Sequence, residues 1–232
     1  MKTIGLIGGM SWESTVTYYR VINETVKAEL GGLHSAKILM YSVDFDEIER
    51  CLSSGDWKRS ARILADAART LEKAGADFIV ICTNTMHKVA PEISESVSIP
   101  LLHIAEVTAR KLKEAGIATV GLLGTSYTMT QPFYMDVLTE NGISVLVPEG
   151  EMIRSVNAII FNELCVGIVR DASRETLLTA IHQLQRRGAQ GIILGCTELG
   201  LLVGENDVDL PVFDTALIHA REAALEALRQ KD

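Results

Sequence analysis

Gly188-Ala-Gln-Gly-Ile-Ile-Leu-Gly-Cys-Thr-Glu198 repeats an earlier stretch of the same chain, Gly75-Ala-Asp-Phe-Ile-Val-Ile-Cys-Thr-Asn-Thr85. Each copy opens on a Gly-Ala pair behind a helical pattern, the usual way for a helix to stop. Each continues through a short apolar run rich in β-branched residues, which reads as a buried strand. Each ends in small polar and sulfur-bearing residues. In an open α/β sheet, ligands bind beyond the carboxyl ends of such strands. Cys82-Thr83-Asn84-Thr85 and Cys196-Thr197-Glu198 therefore stand where chemistry is normally done.

Working outward, the rest of the chain repeats too. Thr3-Ile-Gly-Leu-Ile-Gly-Gly-Met10 is echoed by Thr119-Val-Gly-Leu-Leu-Gly-Thr-Ser126. Ile99-Pro-Leu-Leu-His-Ile-Ala105 is echoed by Leu210-Pro-Val-Phe-Asp-Thr-Ala216. Helical patterns fill the intervals: about Ser14 to Leu30, a short turn at Glu47 to Leu52, then Asp56 to Lys73. In the second half they run from Ser155 to Gly167 and from Ser173 to Arg187. Strands at Ala36 to Val43 and Ile143 to Val147 complete the pattern. The element order is β-α-β-α-β-β-α, twice. Strands alternating with helices imply parallel sheets covered on both faces. Landmarks recurring in order at a near-constant offset imply a duplicated unit. The expected fold is α/β, with two pseudosymmetric four-stranded parallel sheets flanked by helices and a site in the cleft between them. Residues 1–102 form the first domain and 103–211 the second.

The register of the repeat decides which residues are equivalent. Ungapped, Gly75 falls on Gly188, Cys82 on Gly195 and Thr83 on Cys196. Matching the two Cys-Thr pairs instead requires one extra residue in the second copy. Successive strand residues point to opposite faces, so one residue matters. The ungapped alignment makes Thr83 and Cys196 the pair, with Cys82 a buried neighbour.

Bulk properties narrow the function. A chain of 232 residues, 47% hydrophobic, can bury a sizeable core. A net charge of −8 argues against a general nucleic-acid binder or adsorption to anionic membranes, though not against a small anionic substrate. No apolar run approaches the roughly 20 residues of a membrane span, and the N-terminus reads as a strand, not a signal peptide. A cytoplasmic protein is expected. Cys51, Cys82, Cys165 and Cys196 show no close CxxC pairing and should be free thiols in a reducing compartment. No metal site, Walker lysine or Schiff-base lysine stands out, so neither a metal nor a cofactor is expected.

Two equivalent proton-transfer groups on opposite walls suit inversion of a carbon centre, where a proton leaves one face and returns on the other. A thiol has a free pKa near 8.5 and can be tuned toward neutrality by helix N-termini or cations; the helices expected after Thr85 and Glu198 would supply that field. Asn84, Thr85, Thr197 and Glu198 offer donors and acceptors at the same level. Met10 and Ser11, with Thr125 and Thr128, would present backbone N–H groups suited to a carboxylate or phosphate. His87 reads as a helix-start residue on the cleft rim and His103 as structural.

Gly8-Gly-Met-Ser-Trp-Glu-Ser-Thr15, Asn84-Thr85, Leu123-Gly124-Thr125, Ile160-Phe-Asn-Glu-Leu164 and Gly195-Cys-Thr-Glu198 together resemble the cofactor-independent aspartate/glutamate racemases, most closely their enterobacterial amino-acid racemases. The resemblance covers essentially the whole chain. It implies a two-base mechanism without pyridoxal phosphate, an amino-acid substrate, residues 212–232 packing back on the first domain, and Thr83 and Cys196 as the catalytic pair. Met10, Ser11, Asn84, Thr85, Thr125, Thr128, Thr197 and Glu198 would bind substrate, and a homodimer is admitted. One departure stands out: the family's first motif is Cys-Asn-Thr, and here its cysteine maps onto Thr83. Two other functions compete with racemisation. One is isomerisation of a maleate-type dicarboxylate with Cys196 as nucleophile. The other is non-catalytic binding of an acidic metabolite.

Overall fold

The computed structural model describes residues 1–229. Strand β1 (Ile4–Gly8) leads into α1 (Trp12–Leu30), β2 (Ile38–Ser42), α2 (Phe45–Ser54), α3 (Trp57–Lys73) and β3 (Phe78–Ile81). A 3-10 turn, Thr85–Val89, then precedes α4 (Ala90–Glu95). The chain continues as α5 (Ile104–Glu114), β4 (Thr119–Gly124), α6 (Ser126–Thr130), α7 (Pro132–Glu140), β5 (Ser144–Leu146) and α8 (Glu151–Asn162). It ends as α9 (Asp171–Arg186), β6 (Ile192–Gly195), β7 (Val212–Asp214) and α10 (Thr215–Leu228), with three more short 3-10 turns in this half. Gln230, the expected end of the last helix, and the rest of 230–232 lie outside the described residues.

Two compact units divide the chain, one of residues 1–104 together with the chain from His219 onward, the other of Ala105–Ile218. In the first unit the parallel sheet runs β2-β1-β3, and in the second it runs β5-β4-β6-β7. The connectivity is the same in both, since each first strand lies between the second and the third. The first sheet has three regular strands, where four were expected. Its fourth position is a single parallel bridge, Ile79 to Leu101. Ile79 N–H donates to the Pro100 carbonyl and Leu102 N–H to the Ile79 carbonyl, and the chain then enters α5 at Ile104. Pro100 has no N–H with which to extend that ladder.

The strands read as continuous apolar runs because both faces are covered. β1, β3 and β6 are buried at every position. On α3, Ser60, Ala61, Leu64, Ala65, Ala67, Ala68 and Leu71 form the buried stripe of an amphipathic helix. Asp56 starts that helix by accepting from Arg59 N–H. β2 is an edge strand, and Met40 and Tyr41 on it are exposed. Two helices differ in extent from the sequence pattern. The short turn expected at Glu47 to Leu52 is a full helix, capped by Asp44 at its start and by left-handed Gly55 at its end. The pattern from Ser155 to Gly167 is α8 displaced toward its N-terminus, followed by the 3-10 turn Leu164–Val166.

Strand pairing fixes the equivalence of the two repeats. Ile7 pairs with Ile81, and its counterpart Leu123 pairs with Leu194. Counting on from these pairs gives Cys82 the place of Gly195 and Thr83 the place of Cys196, with no insertion.

Candidate functional site

In the first unit the loop after β1 and the residues after β3 stand at the carboxyl ends of adjacent strands, joined by Cys82 N–H donating to the Ile7 carbonyl. The β1–α1 turn has little freedom. Gly9 has φ +91°, and a Cβ there would sit 2.2 Å from the Val43 carbonyl oxygen. At Gly8 a Cβ would meet Thr15 Cγ2 at 2.4 Å. Gly9 N–H donates to Thr15 Oγ1 at 2.9 Å, and Thr15 Oγ1 donates on to the Ser11 carbonyl at 3.0 Å. Ser11 is the N-cap of α1, its hydroxyl accepting from Ser14 N–H. Met10 and Ser11 are both buried.

Thr83 is half-buried, while Asn84 and Thr85 are buried. Cys82 is fully buried, and burial in apolar surroundings pushes its thiol pKa up, as for an inert small hydrophobe. His87 stands in the interior, only 1% exposed, rather than on a rim. Its Nδ1 lies 2.8 Å from the Thr83 carbonyl oxygen and its Nε2 accepts from Ile104 N–H at 3.2 Å. Its ring lies 4.6 Å from that of His103 and 5.7 Å from that of His219. Burial and the neighbouring imidazoles hold its pKa well below the ordinary range, so it is neutral.

The second unit repeats the frame with different contents. Thr125 caps α6 by accepting from Thr128 N–H, and Thr128 is fully buried. Ser126 N–H donates to Asn157 Oδ1 of α8 at 2.8 Å. Cys196 and Thr197 are half-buried behind β6, and Glu198 is buried. The Cys196 thiol donates to Glu198 Oε2 at 2.9 Å, and Thr197 Oγ1 donates to the same oxygen at 2.7 Å.

Three of the backbone N–H groups beside the strand ends, those of Gly9, Ser126 and Thr128, are taken by Thr15, Asn157 and Thr125. One expectation is corrected here, a helix field that lowers the thiol pKa. The helix after Glu198 is one 3-10 turn, Leu199–Leu201, and the segment after Asn84 is likewise 3-10, too short to build a macrodipole. Burial first, and then the Glu198 carboxylate, push the Cys196 pKa well above its ordinary value. At rest Cys196 is a thiol with an acceptor waiting for its proton. Arg50 on α2 is exposed and paired with Asp46 at 2.7 Å.

Asn157 stands outside every motif the sequence marks, because its bond to the Ser126 amide is closed only by folding, whereas Thr15 ends the first of those motifs. Among the described residues, no three or more His, Cys, Asp and Glu side chains are grouped to hold a metal, and no helix is long and apolar enough to cross a membrane.

Comparison with known proteins converges on one family. The Asp/Glu/hydantoin racemase family profile matches residues 7–223. A broad specificity amino-acid racemase, RacX of Bacillus subtilis (strain 168), is 24% identical over 94% of this chain and 95% of its own. A crystal structure from Yersinia pestis, assigned as an Asp/Glu racemase, superposes with a TM-score of 0.94 at 55% identity, over 99% of this chain and 100% of that one. An aspartate racemase homologue from Pyrococcus horikoshii OT3 superposes with a TM-score of 0.86 at 36% identity, over 99% and 100%.

Proposed function

The chain belongs to the Asp/Glu/hydantoin racemase family, and from that premise we propose that it inverts the Cα of aspartate or glutamate by two-base proton transfer without a cofactor. The observation that carries the proposal is the Cys196–Glu198 pair, a thiol donating at 2.9 Å to a buried carboxylate at the end of a central strand. Glu198 takes the thiol proton, the thiolate so formed takes the Cα proton of the enantiomer presented to it, and a hydroxyl proton from Thr83 completes inversion on the other face. Thr83 then recovers a proton from solvent, and Glu198 returns to solvent the one it took, which resets both groups. In the opposite direction Thr83 must act as the base, for which a hydroxyl is far poorer than a thiolate. Met10, Ser11, Asn84, Thr85, Thr125, Thr128 and Thr197 are proposed to hold the substrate, supported by their places beside the ends of the central strands.

Enantiomers have equal free energy, so the equilibrium constant is one and kcat/KM is equal in the two directions. The inequality between the bases must therefore appear in the separate values of kcat and KM. It also appears in the isotope: solvent deuterium enters Cα on the Cys196 face faster than configuration inverts. A screen of amino-acid enantiomers in D2O, following Cα exchange by NMR and inversion by chiral chromatography, tests this. Exchange of one enantiomer ahead of inversion is expected; absence of Cα exchange with every amino acid would remove the proposal in favour of a dicarboxylate isomerase or a binder.

A homodimer in the cytoplasm is part of the same proposal. It is supported by an exposed apolar row on α1, Trp12, Val16 and Tyr19, and by four free cysteines. Sedimentation at micromolar concentration should give twice the chain mass, and Trp12→Glu should shift it toward the monomer.

A further inference from the structure

The two units solve one local problem differently. In the second unit, α10 is capped from within its own segment: Asp214 Oδ1 accepts from Ala216 and Leu217 N–H at 2.9 and 3.1 Å. The residue four beyond Cys196 is Gly200, and a Cβ built there would lie 3.0 Å from Asp214 Oδ2. Counted along the repeat, Asp214 corresponds to His103 and Gly200 corresponds to His87. In the first unit the position equivalent to Gly200 carries the His87 imidazole, which accepts from Ile104 N–H at the start of α5.

That exchange moves the connection: in the second unit Thr215, the equivalent of Ile104, donates its own hydroxyl to the Leu194 carbonyl at 2.9 Å, whereas in the first unit the link runs through the His87 ring to the Thr83 carbonyl. A carbonyl can only accept and an amide N–H can only donate, so the two partners of His87 fix its tautomer: the proton is on Nδ1, facing the Thr83 carbonyl, and Nε2 is the acceptor. One ring thus spans the backbone of the candidate base Thr83 and the residue at which the chain leaves the first unit. It is packed from behind by His103 and His219. His219 is itself held by Tyr18 Oη at 2.9 Å and by the Leu102 carbonyl at 2.8 Å.

We propose that His87 is a positioning residue that fixes the Thr83 backbone to the start of α5, so that the weaker base of the pair is held in place by a side-chain tether where the second unit has a glycine. The proposal rests on Thr83 acting in the racemase reaction. The chemistry gives it a purpose, since a poor base gains most from being held close to its target.

The test separates tethering from simple helix capping. His87→Gly removes both contacts, and His87→Gly with His103→Asp copies the Gly200–Asp214 arrangement, restoring a cap for α5 but no link to Thr83. His87→Gln keeps one donor and one acceptor. We expect kcat for inversion to fall about 10- to 100-fold in His87→Gly, with KM changed less than about threefold. The double variant should recover thermal stability and amide protection at Ile104 without recovering kcat, while His87→Gln should recover most of kcat. If the double variant regains kcat together with Ile104 protection, or if His87→Gln is as slow as His87→Gly, the tether is refuted and His87 is only a cap. Should the chain show no racemase activity at all, amide exchange alone decides: protection across residues 83–87 must stay low in the double variant while that of Ile104 returns, and return of both refutes the tether.

Discussion

At the scale of single residues, the decisive facts are a carboxylate 2.9 Å from a sulfur and a threonine at the place in the repeat equivalent to that sulfur's residue. Cys196→Ser should lower Cα exchange of the enantiomer presented to it by at least about 100-fold, because a hydroxyl replaces the thiol proposed to accept that proton. Thr83→Cys should speed the slower direction in kcat. It should do so only as pH rises, since the new thiol lacks a carboxylate partner like Glu198. Cys82→Ala should cost no more than about 1–2 kcal/mol of stability from its small cavity and leave turnover intact; loss of turnover there, with Thr83→Ala unaffected, would exchange the roles of the two neighbours. The equivalence of Thr83 with Cys196 was legible in the sequence because both strands keep their length from the Gly-Ala pair onward. The direction of the Cys196 pKa was not. It depends first on how far folding takes the thiol out of water and then on which way the Glu198 carboxylate folds, and a helix start and a proton acceptor are written with the same glutamate.

At the scale of elements, the β1–α1 turn is the least tolerant part of the molecule. Gly9→Ala would force a side chain into positive φ and against the Val43 backbone, which cannot yield as a flexible side chain can. We expect about 2–4 kcal/mol of destabilisation, measured as a shift in urea midpoint; a change below about 1 kcal/mol would mean the turn relaxes freely. The duplicated β-α-β order could be read from the chain because apolar runs, Gly-Ala stops and the two Pro segments punctuate it at matching places. The missing regular strand at Leu101 could not, because Ile99-Pro-Leu-Leu and Leu210-Pro-Val-Phe carry the same apolar signal, and only pairing distinguishes one bridge from three residues of ladder. The occupied backbone donors were equally hidden. Asn157 stands 31 positions from the Ser126 amide it satisfies, and nothing local announces that contact. His87 was misplaced for a related reason: a polar residue at the start of a 3-10 turn reads as exposed until its two backbone partners are known.

At the scale of the whole molecule, two buried imidazoles, His87 and His219, and the half-buried His103 shape its response to acid. His103 and His219 are pushed down to about 4 by burial, and His87 is lowered as well. Unfolded, each would titrate near 6.5. Above that value both states are neutral and pH has no leverage through these rings. Below it the unfolded chain binds protons that the folded chain refuses, so stability falls as pH drops from about 6.5 toward 4. Between pH 7 and pH 5 each of the two rings near 4 should withdraw about 2 kcal/mol. His219→Phe should lessen the slope, and an unchanged urea midpoint across that range would contradict the neutral cluster. The same cluster has a consequence in time. The first unit is discontinuous, and it needs α10 to bring His219 to Tyr18 and Leu102 and to offer the Ala227 carbonyl to Lys2 N–H. A ribosome delivers residues in order, at about 5–20 per second. Every residue of the second unit has therefore been polymerised before the first unit receives its closing helix. The part of the chain born first is finished last, and during the interval its β-sheet waits on the nascent chain with one wall missing.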